Sequence, residues 1–189
     1  YGKVSCPFSD LLVRNLEKKK KYQECRAFNA NVVSKRRASK PDVVVTSVSR
    51  WQHPVGHAYD SPGAQGDGIA RMLEQVPGRP VVIADVPYPG QDVPECLARN
   101  RQDIRPCAAP ARNRNAGGSP ARERQAASVS GGVMLNFYDL ICQGHDRCLP
   151  VRNGVIVWRD HHHLTATFAR SLAPALDRAL QKVVPKRMR

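Results

Sequence analysis

Along this chain, short unbroken apolar runs alternate with longer stretches in which apolar residues recur every three or four positions. The runs are Val43-Val44-Val45, Pro80 to Val86, Val133 to Tyr138, and Val155-Ile156-Val157. Each reads as a strand, and Val43-Val44-Val45 is of the continuous kind buried in parallel sheets. Residues 17–39 read as a helix, with Tyr22, Cys25, Phe28, Ala30, Val32 and Val33 turned inward. The clusters Lys18 to Lys21 and Lys35 to Arg37 are solvated at its ends. Pro41 stops the helix, because the residue before a proline is disfavoured in the helical region. A second helix carries Ile69, Ala70, Met72, Leu73 and Val76. A last one runs from Thr165 to Val184 through Phe168, Leu172, Leu176, Ala179, Leu180 and Val183. Residues 1–16 read as a loop-like entry. This alternation predicts an α/β fold, a three-layer doubly wound parallel sheet of flavodoxin-like type, with ligands at the carboxyl ends of the strands.

The connections narrow the picture. His53 to Gln65 is a Gly/Pro-rich loop. Beside it, Gly66-Asp67-Gly68 approximates a Gly-Asp-Ser nucleophile motif, but its third residue is Gly and no strand precedes it, so it is rejected. Residues 87–127, rich in Pro, Ala and Arg, read as a surface excursion followed by a helix. Their arginines, among them Arg99, Arg101, Arg105, Arg112, Arg114, Arg122 and Arg124, lack the interleaved aromatics on which bases stack. The 189 residues carry 30 Lys and Arg against 16 Asp and Glu, a formal charge of +14. Such a surface favours anionic partners: nucleic acid, lipid headgroups or acidic envelope polymers. The length suits one domain, 1–184, followed by a basic tail, 185–189. The chain begins at Tyr1 with neither initiator Met nor signal peptide, as expected of a mature piece or a fragment. No apolar run approaches the roughly 18 residues of a membrane span.

Candidate chemistry concentrates in Trp158-Arg159-Asp160-His161-His162-His163-Leu164-Thr165. Asp160 and His163, three apart at the carboxyl end of a strand and the start of a helix, can set a carboxylate against an imidazole. That is the acid–base half of a Ser-His-Asp machine. Three adjacent His could instead hold a metal. Neighbouring residues on one turn point in different directions, however, and no Glu or Cys stands at ligand spacing, so no metal is expected. Asp160 could also simply cap the helix through its side-chain oxygen. The six Cys include no tight Cys-x-x-Cys pair, which favours disulfides and an oxidising compartment over zinc. Six cysteines allow fifteen connectivities.

Seven pieces recur in a telling order: Ser5-Cys6-Pro7, Tyr22-Gln23-Glu24-Cys25, Pro41 to Val45 leading to Ser49-Arg50-Trp51, Val81 to Pro87, Val93-Pro94-Glu95-Cys96-Leu97, Cys142 to Cys148, and Arg159 to Thr165. Together they resemble the carboxyl-terminal SGNH (GDSL-like) domain fused to membrane acyltransferases of acyltransferase family 3, particularly the actinobacterial type. The resemblance covers nearly the whole chain. Its last motif, Asp-x-x-His, implies Asp160 as the acid and His163 as the base of a triad, with His161 and His162 in the variable positions. Where an SGNH hydrolase carries Gly-x-Asn-Asp to hold the oxyanion, this chain has Ser47-Val48-Ser49-Arg50-Trp51. Ser49 or Arg50 is then a candidate oxyanion donor, the alternative being that Arg50 and Trp51 only pack the strand end. The resemblance also implies the pairs Cys6–Cys25, Cys96–Cys107 and Cys142–Cys148, each closing a short loop. The last would stiffen the approach to Asp160 and His163.

The family's nucleophile sits in Gly-Asp-Ser after the first strand, which would lie upstream of Cys6, and no Ser of this chain has that context. The fold is therefore expected to be incomplete at its amino end, with an open sheet edge, and the chain inactive alone. The resemblance implies the extracytoplasmic portion of an O-acyltransferase. A membrane acyltransferase domain would deliver the acyl group, often acetyl, and a cell-envelope carbohydrate would accept it, with no cofactor. Membrane association would run through the missing amino-terminal region, and water in place of the sugar would make an esterase. The alternative is a catalytically inactive SGNH-like module that binds anionic glycan or lipid. Specific nucleic-acid binding rests on charge alone and conflicts with the cysteine pattern, so none is expected.

Overall fold

A computed structural model describes residues 1–15, 17–49, 53–58, 61–110, 120–143 and 147–184. Its first half contains β1 (Arg14–Asn15), β2 (Lys20–Lys21), α1 (Gln23–Ser39), β3 (Val43–Ser47), α2 (Pro62–Leu73), β4 (Arg79–Ile83) and α3 (Val93–Arg99). There follow a 3₁₀ turn (Arg105–Cys107), β5 (Ala109–Pro110), α4 (Ala121–Val129), β6 (Val133–Leu135) and α5 (Tyr138–Cys142). The chain closes with β7 (Arg147–Cys148), β8 (Val151–Arg152), β9 (Val155–Ile156), α6 (Ala166–Ser171) and α7 (Ala173–Gln181). The described residues form two compact units, one drawn from 1–85, 120–135 and 183–189, the other from 86–119 and 136–182.

The first unit holds a parallel sheet in the order β3-β4-β6, with Val45 opposite Val81 and Val81 opposite Val133. The α/β architecture is therefore as predicted. Central β4 buries both Val81 and Val82, the signature of a strand covered on two faces. Among the described residues β3 pairs with β4 alone, and its Val45 is 46% exposed, so the Val43–Val45 run is not the doubly covered strand expected. Val48, Ile69, Leu73, Val82, Ala126 and Ala127 form the core between this sheet, α2 and α4. Val33, Met72 and Val76 extend apolar packing to α1.

Helix α1 starts at Gln23 rather than residue 17. Lys20 and Lys21 pair back on Arg14 and Asn15, Lys19 takes φ 49°, and the Asn15 side chain accepts from the Lys18 amide at 2.8 Å. Local turn chemistry thus wins over helical periodicity. The inward stripe is Cys25, Asn29 and Val33, while Ala30 is exposed. Asn29 turns in because its Nδ2 donates to the carbonyls of Pro7 (2.8 Å) and Ser9 (3.1 Å). Lys40 closes the helix at φ 44°, immediately before Pro41.

Helix α2 begins at Pro62, inside the stretch read as loop, and ends at Leu73. A proline at the first helical positions lacks only an amide that would be unpaired there anyway. Gly66-Asp67-Gly68 lies within this helix as a packing device. A Cβ on Gly66 would come 2.7 Å from the Arg122 carbonyl oxygen, so only Gly lets α2 and α4 close. Gln125 then donates to Asp67 at 2.8 Å across the same contact.

In the second unit α3 is capped by Asp92, whose carboxylate accepts from the Glu95 amide at 2.9 Å. All three implied disulfides form, Cys6–Cys25 in the first unit, Cys96–Cys107 and Cys142–Cys148 in the second. Three expectations need correction here and in the sheet. The strand from Val133 ends at Leu135, because Tyr138 already opens α5. Val155 and Ile156 belong to an antiparallel hairpin with Val151 and Arg152, not to the parallel sheet. Its turn is Asn153-Gly154, both at positive φ (48° and 74°), the favoured two-residue hairpin chemistry. The last helix is two helices, interrupted at Leu172 because Pro174 has no amide to continue the ladder. No described helix is long and apolar enough to cross a membrane. The basic tail, 185–189, lies outside the described residues.

Gly66→Ala is expected to destabilise the protein by about 1–3 kcal/mol in urea unfolding, through overpacking of α2 against α4. Gly63→Ala, whose Cβ would meet nothing within 4 Å, is the control and should not. Equal midpoints for the two variants would remove Gly66 as a packing constraint.

Candidate active site

Asp160 and His163 stand on a loop closed at its base. Trp158 and Leu164 form an isolated antiparallel bridge, the Arg159 amide donates to the His163 carbonyl at 2.8 Å, and the Thr165 amide donates to Val157 at 2.9 Å. Below the bridge, Val157 and Trp158 have no solvent exposure and share a core with Val93, Ile141, Cys142 and Cys148. The Trp158 Nε1–H donates to the Pro87 carbonyl at 3.0 Å, so the buried indole is satisfied. Above the bridge, Thr165 caps α6 by accepting from the Phe168 amide at 3.2 Å. Capping of that helix is therefore not the work of Asp160.

The Asp160 carboxylate divides its two oxygens. Oδ1 accepts from the backbone amides of His162 (2.9 Å) and His163 (2.8 Å), and Oδ2 lies 2.7 Å from His163 Nδ1. Partial burial pushes this carboxyl up, but the two amides and the imidazole outweigh it and hold Asp160 well below the usual carboxylate range. An ionised Asp160 can only accept, so Nδ1 is the donor in this contact. His163 is half exposed, and among the described residues no side-chain hydroxyl is hydrogen-bonded to its Nε2. The other two imidazoles are not equivalent. His162 Nδ1 stands 3.8 Å from Asp160, and His161 Nδ1 3.9 Å from Asp92, both beyond hydrogen-bond range. The His162 and His163 rings are tilted neighbours, 4.1 Å apart.

Asp160, His162 and His163 do converge, contrary to the expectation that adjacent side chains diverge. Each offers a ligand atom, all within 4.8 Å of one another, so the turn could take a metal ion. At zinc–ligand distances of about 2.0–2.2 Å, that ion would have to replace the proton in the Asp160–His163 hydrogen bond.

Ser49 lies two residues beyond β3 and is exposed, while Arg50 lies outside the described residues. What holds this strand end is a residue that reading the chain placed on a basic surface excursion. Arg122 is 6% exposed, and its Nη2 donates to the Val48 carbonyl at 2.7 Å and its Nη1 to Ser49 at 3.3 Å. Gln65 accepts from the same guanidinium at 3.2 Å, and buried Glu123 pairs with it. Nothing in an Arg-Glu step within an arginine-rich segment marks it as interior.

Fold and site together give an α/β architecture with a parallel sheet, three disulfides and an Asp-x-x-His pair in hydrogen-bond contact. The chain belongs to the SGNH domain family, described as the SGNH domain fused to AT3 domains, whose family model matches residues 1–178. Membership gives it an acyltransferase-associated role. Its fold is similar to that of a lipopolysaccharide acetyltransferase periplasmic domain from Salmonella ser. Paratyphi A. The TM-score is 0.61 at 16% identity, over 90% of this chain and 69% of that one. No curated protein sequence matches it.

Two outcomes test the site's electrostatics. Arg122→Ala leaves Glu123 buried and unpaired and is expected to cost about 3–5 kcal/mol in denaturant unfolding. Replacing both Arg122 and Glu123 by Leu should recover part of this, the remainder reporting the carbonyls of Val48 and Ser49. A depressed carboxylate stabilises the fold above its ordinary value of 3.8 and loses that contribution as pH falls through its lower folded value. Asp160→Asn should therefore be less stable than the parent at about pH 6, the gap closing below about pH 4. A gap that persists unchanged into acid would show that Asp160 is not held as an anion.

Proposed function

We propose that this chain is the extracytoplasmic portion of an O-acyltransferase that passes acyl groups, acetyl in the simplest case, to a carbohydrate of the cell envelope. The observation that carries the reading is the 2.7 Å contact of Asp160 with His163 Nδ1, which leaves Nε2 as a base of fixed tautomer. Three disulfides support an oxidising compartment. In this reading the nucleophilic Ser comes from a Gly-Asp-Ser segment outside residues 1–189, and a membrane acyltransferase domain presents the acyl donor.

His163 Nε2 takes the proton of the Ser hydroxyl as its oxygen attacks the acyl carbonyl, then returns that proton to the leaving group. In the second half it takes the proton of a sugar hydroxyl, whose oxygen attacks the acyl-enzyme, and the proton passes back to Ser as the ester is released. Asp160 holds the imidazole and stabilises the imidazolium formed in each half. Ser49 or Arg50 is the proposed donor to the developing oxyanion. A second reading, a glycan- or lipid-binding module without catalysis, is favoured by the lack of a hydroxyl on Nε2 among the described residues.

Residues 1–189 alone are expected to hydrolyse p-nitrophenyl acetate no faster than buffer. A version extended upstream to include Gly-Asp-Ser should gain activity and lose it by about two orders of magnitude or more with His163→Ala. His163-dependent hydrolysis by residues 1–189 would place the nucleophile within the chain. An inactive extended protein would favour the binding module.

A further inference from the structure

The first unit contains a cleft of about 450 Å³ that none of the chemistry above uses. One wall is a single stripe of α1. Arg26, Ala30, Val33, Ser34 and Arg37 fall at intervals of four, seven, eight and eleven residues, all on one helical face. Eleven residues of helix span about 16 Å, so Arg26 and Arg37 mark the two ends of an elongated groove. The opposite wall is Met72 of α2 and Gln75 just beyond its end, together with Ser9 and Asp10.

The groove's charge is unopposed. Asp10, its one carboxylate, is held by both nitrogens of an Arg71 fork at 2.5 and 2.9 Å. Arg37 Nε donates to the Gln75 carbonyl at 2.7 Å, and among the described residues its two terminal nitrogens have no partner. Among the described residues Arg26 and Ser34 have no hydrogen-bond or ion-pair partner. Between the two guanidinium groups the floor is mostly apolar, built from exposed Ala30 and the edges of buried Val33 and Met72, beside the Asn29 amide, whose Nδ2 is committed to the Pro7 and Ser9 carbonyls. Guanidinium ends match carboxylate or phosphate groups, and an apolar floor with hydroxyl and amide groups on its rim matches the C–H and O–H faces of sugar rings. A bare inorganic anion would leave the floor empty, and an acyl chain would strand the polar rim.

We propose that this groove binds an anionic oligosaccharide, a short glycan bearing carboxylate or phosphate groups, with its ring faces on Val33 and Met72 and its charges at Arg26 and Arg37. The site deepens the function proposed above by giving its acceptor a chemical class. It rests on that reading only for the glycan's role as acceptor, because binding is measured without acyl transfer.

The test is titration of the 189-residue chain, by NMR and calorimetry at about 0.15 M salt to screen diffuse attraction. The ligand is a tetrasaccharide alternating glucuronic acid and N-acetylglucosamine. Chitotetraose, inorganic phosphate and phosphatidylglycerol vesicles are the comparison arms. The acidic tetrasaccharide is expected to shift amides along the Arg26–Arg37 stripe and at Met72 and Gln75. Its affinity should fall about tenfold or more with Arg26→Ala plus Arg37→Ala, and with Ala30→Trp, which fills the groove at an exposed position. Arg170→Ala plus Arg178→Ala removes the same charge elsewhere and should leave affinity within about twofold. Equal loss in that control would reduce the effect to net charge and overturn the site. So would chitotetraose, phosphate or vesicles binding as tightly as the acidic glycan. If Ala30→Trp fails to fold, the double alanine variant decides alone. Loss of p-nitrophenyl acetate hydrolysis in the extended protein, with glycan binding intact, would remove the catalytic reading and leave the groove.

Discussion

Trp158 has no solvent exposure, and its indole N–H is committed to the Pro87 carbonyl. The backbone at 157–159 therefore cannot move without uncovering the largest side chain of the second unit's core or stranding a buried donor, each a cost of kcal/mol order. That immobility matters because the loop above it contains no regular strand or helix. Residues 159–163 inherit their position from the Trp158–Leu164 bridge and the amide contacts that flank it. The Cys142–Cys148 disulfide adds to the same effect, since both cysteines pack in the cluster that holds Val157 and Trp158. The Asp160–His163 contact can thus sit partly exposed on a turn and still be oriented, because its rigidity is borrowed from the packed residues beneath.

Charge in this protein divides into a solvated excess and a few interior groups that shape the fold. Exposed pairs such as Lys20–Glu24 and Arg99–Glu95 sit in high dielectric and contribute little. Arg122 and Glu123 are the opposite case. Taking both out of water is costly, so the pair is weak evidence for net stability. Its consequence is geometric: the guanidinium fork binds two successive carbonyls just beyond the end of β3. The strand end that carries Ser49 is set by a helix on another part of the chain.

Much of the fold was legible in the chain because it rests on periodicity. A strand forms within the run Pro80 to Val86, and the three cysteine couples, each near in sequence, form as the resemblance implied. Errors arose where a local conformational signal overrode the apolar pattern. Asn153-Gly154 turns Val155-Ile156 into a hairpin, and Pro174 divides a helix whose apolar spacing continues unbroken through it. Asp160 and His163 were legible because Asp-x-x-His brings both side chains over one turn. Arg122 was not, because burial of an arginine depends on carbonyls some seventy residues away that no local pattern reports.

The Asp160 carboxylate also explains why three rival uses of this loop are not equivalent. Helix capping is excluded because Thr165 occupies that role, yet the capping chemistry survives in a different place: Oδ1 gathers the amides of His162 and His163. Those two donors do more than close a turn. They stabilise the anion, and an anionic Asp160 is what compels Nδ1 of His163 to carry the proton. A metal ion seated on Asp160, His162 and His163 would draw on the same carboxylate and displace the proton from that hydrogen bond. Turn closure and tautomer selection therefore depend on one side chain, and neither oxygen is spare. His162 Nδ1 lies 3.8 Å from Asp160 and His161 Nδ1 3.9 Å from Asp92, whereas His163 Nδ1 reaches Asp160 at 2.7 Å. That contact, rather than the number of histidines in the run, is what sets His163 apart from its neighbours.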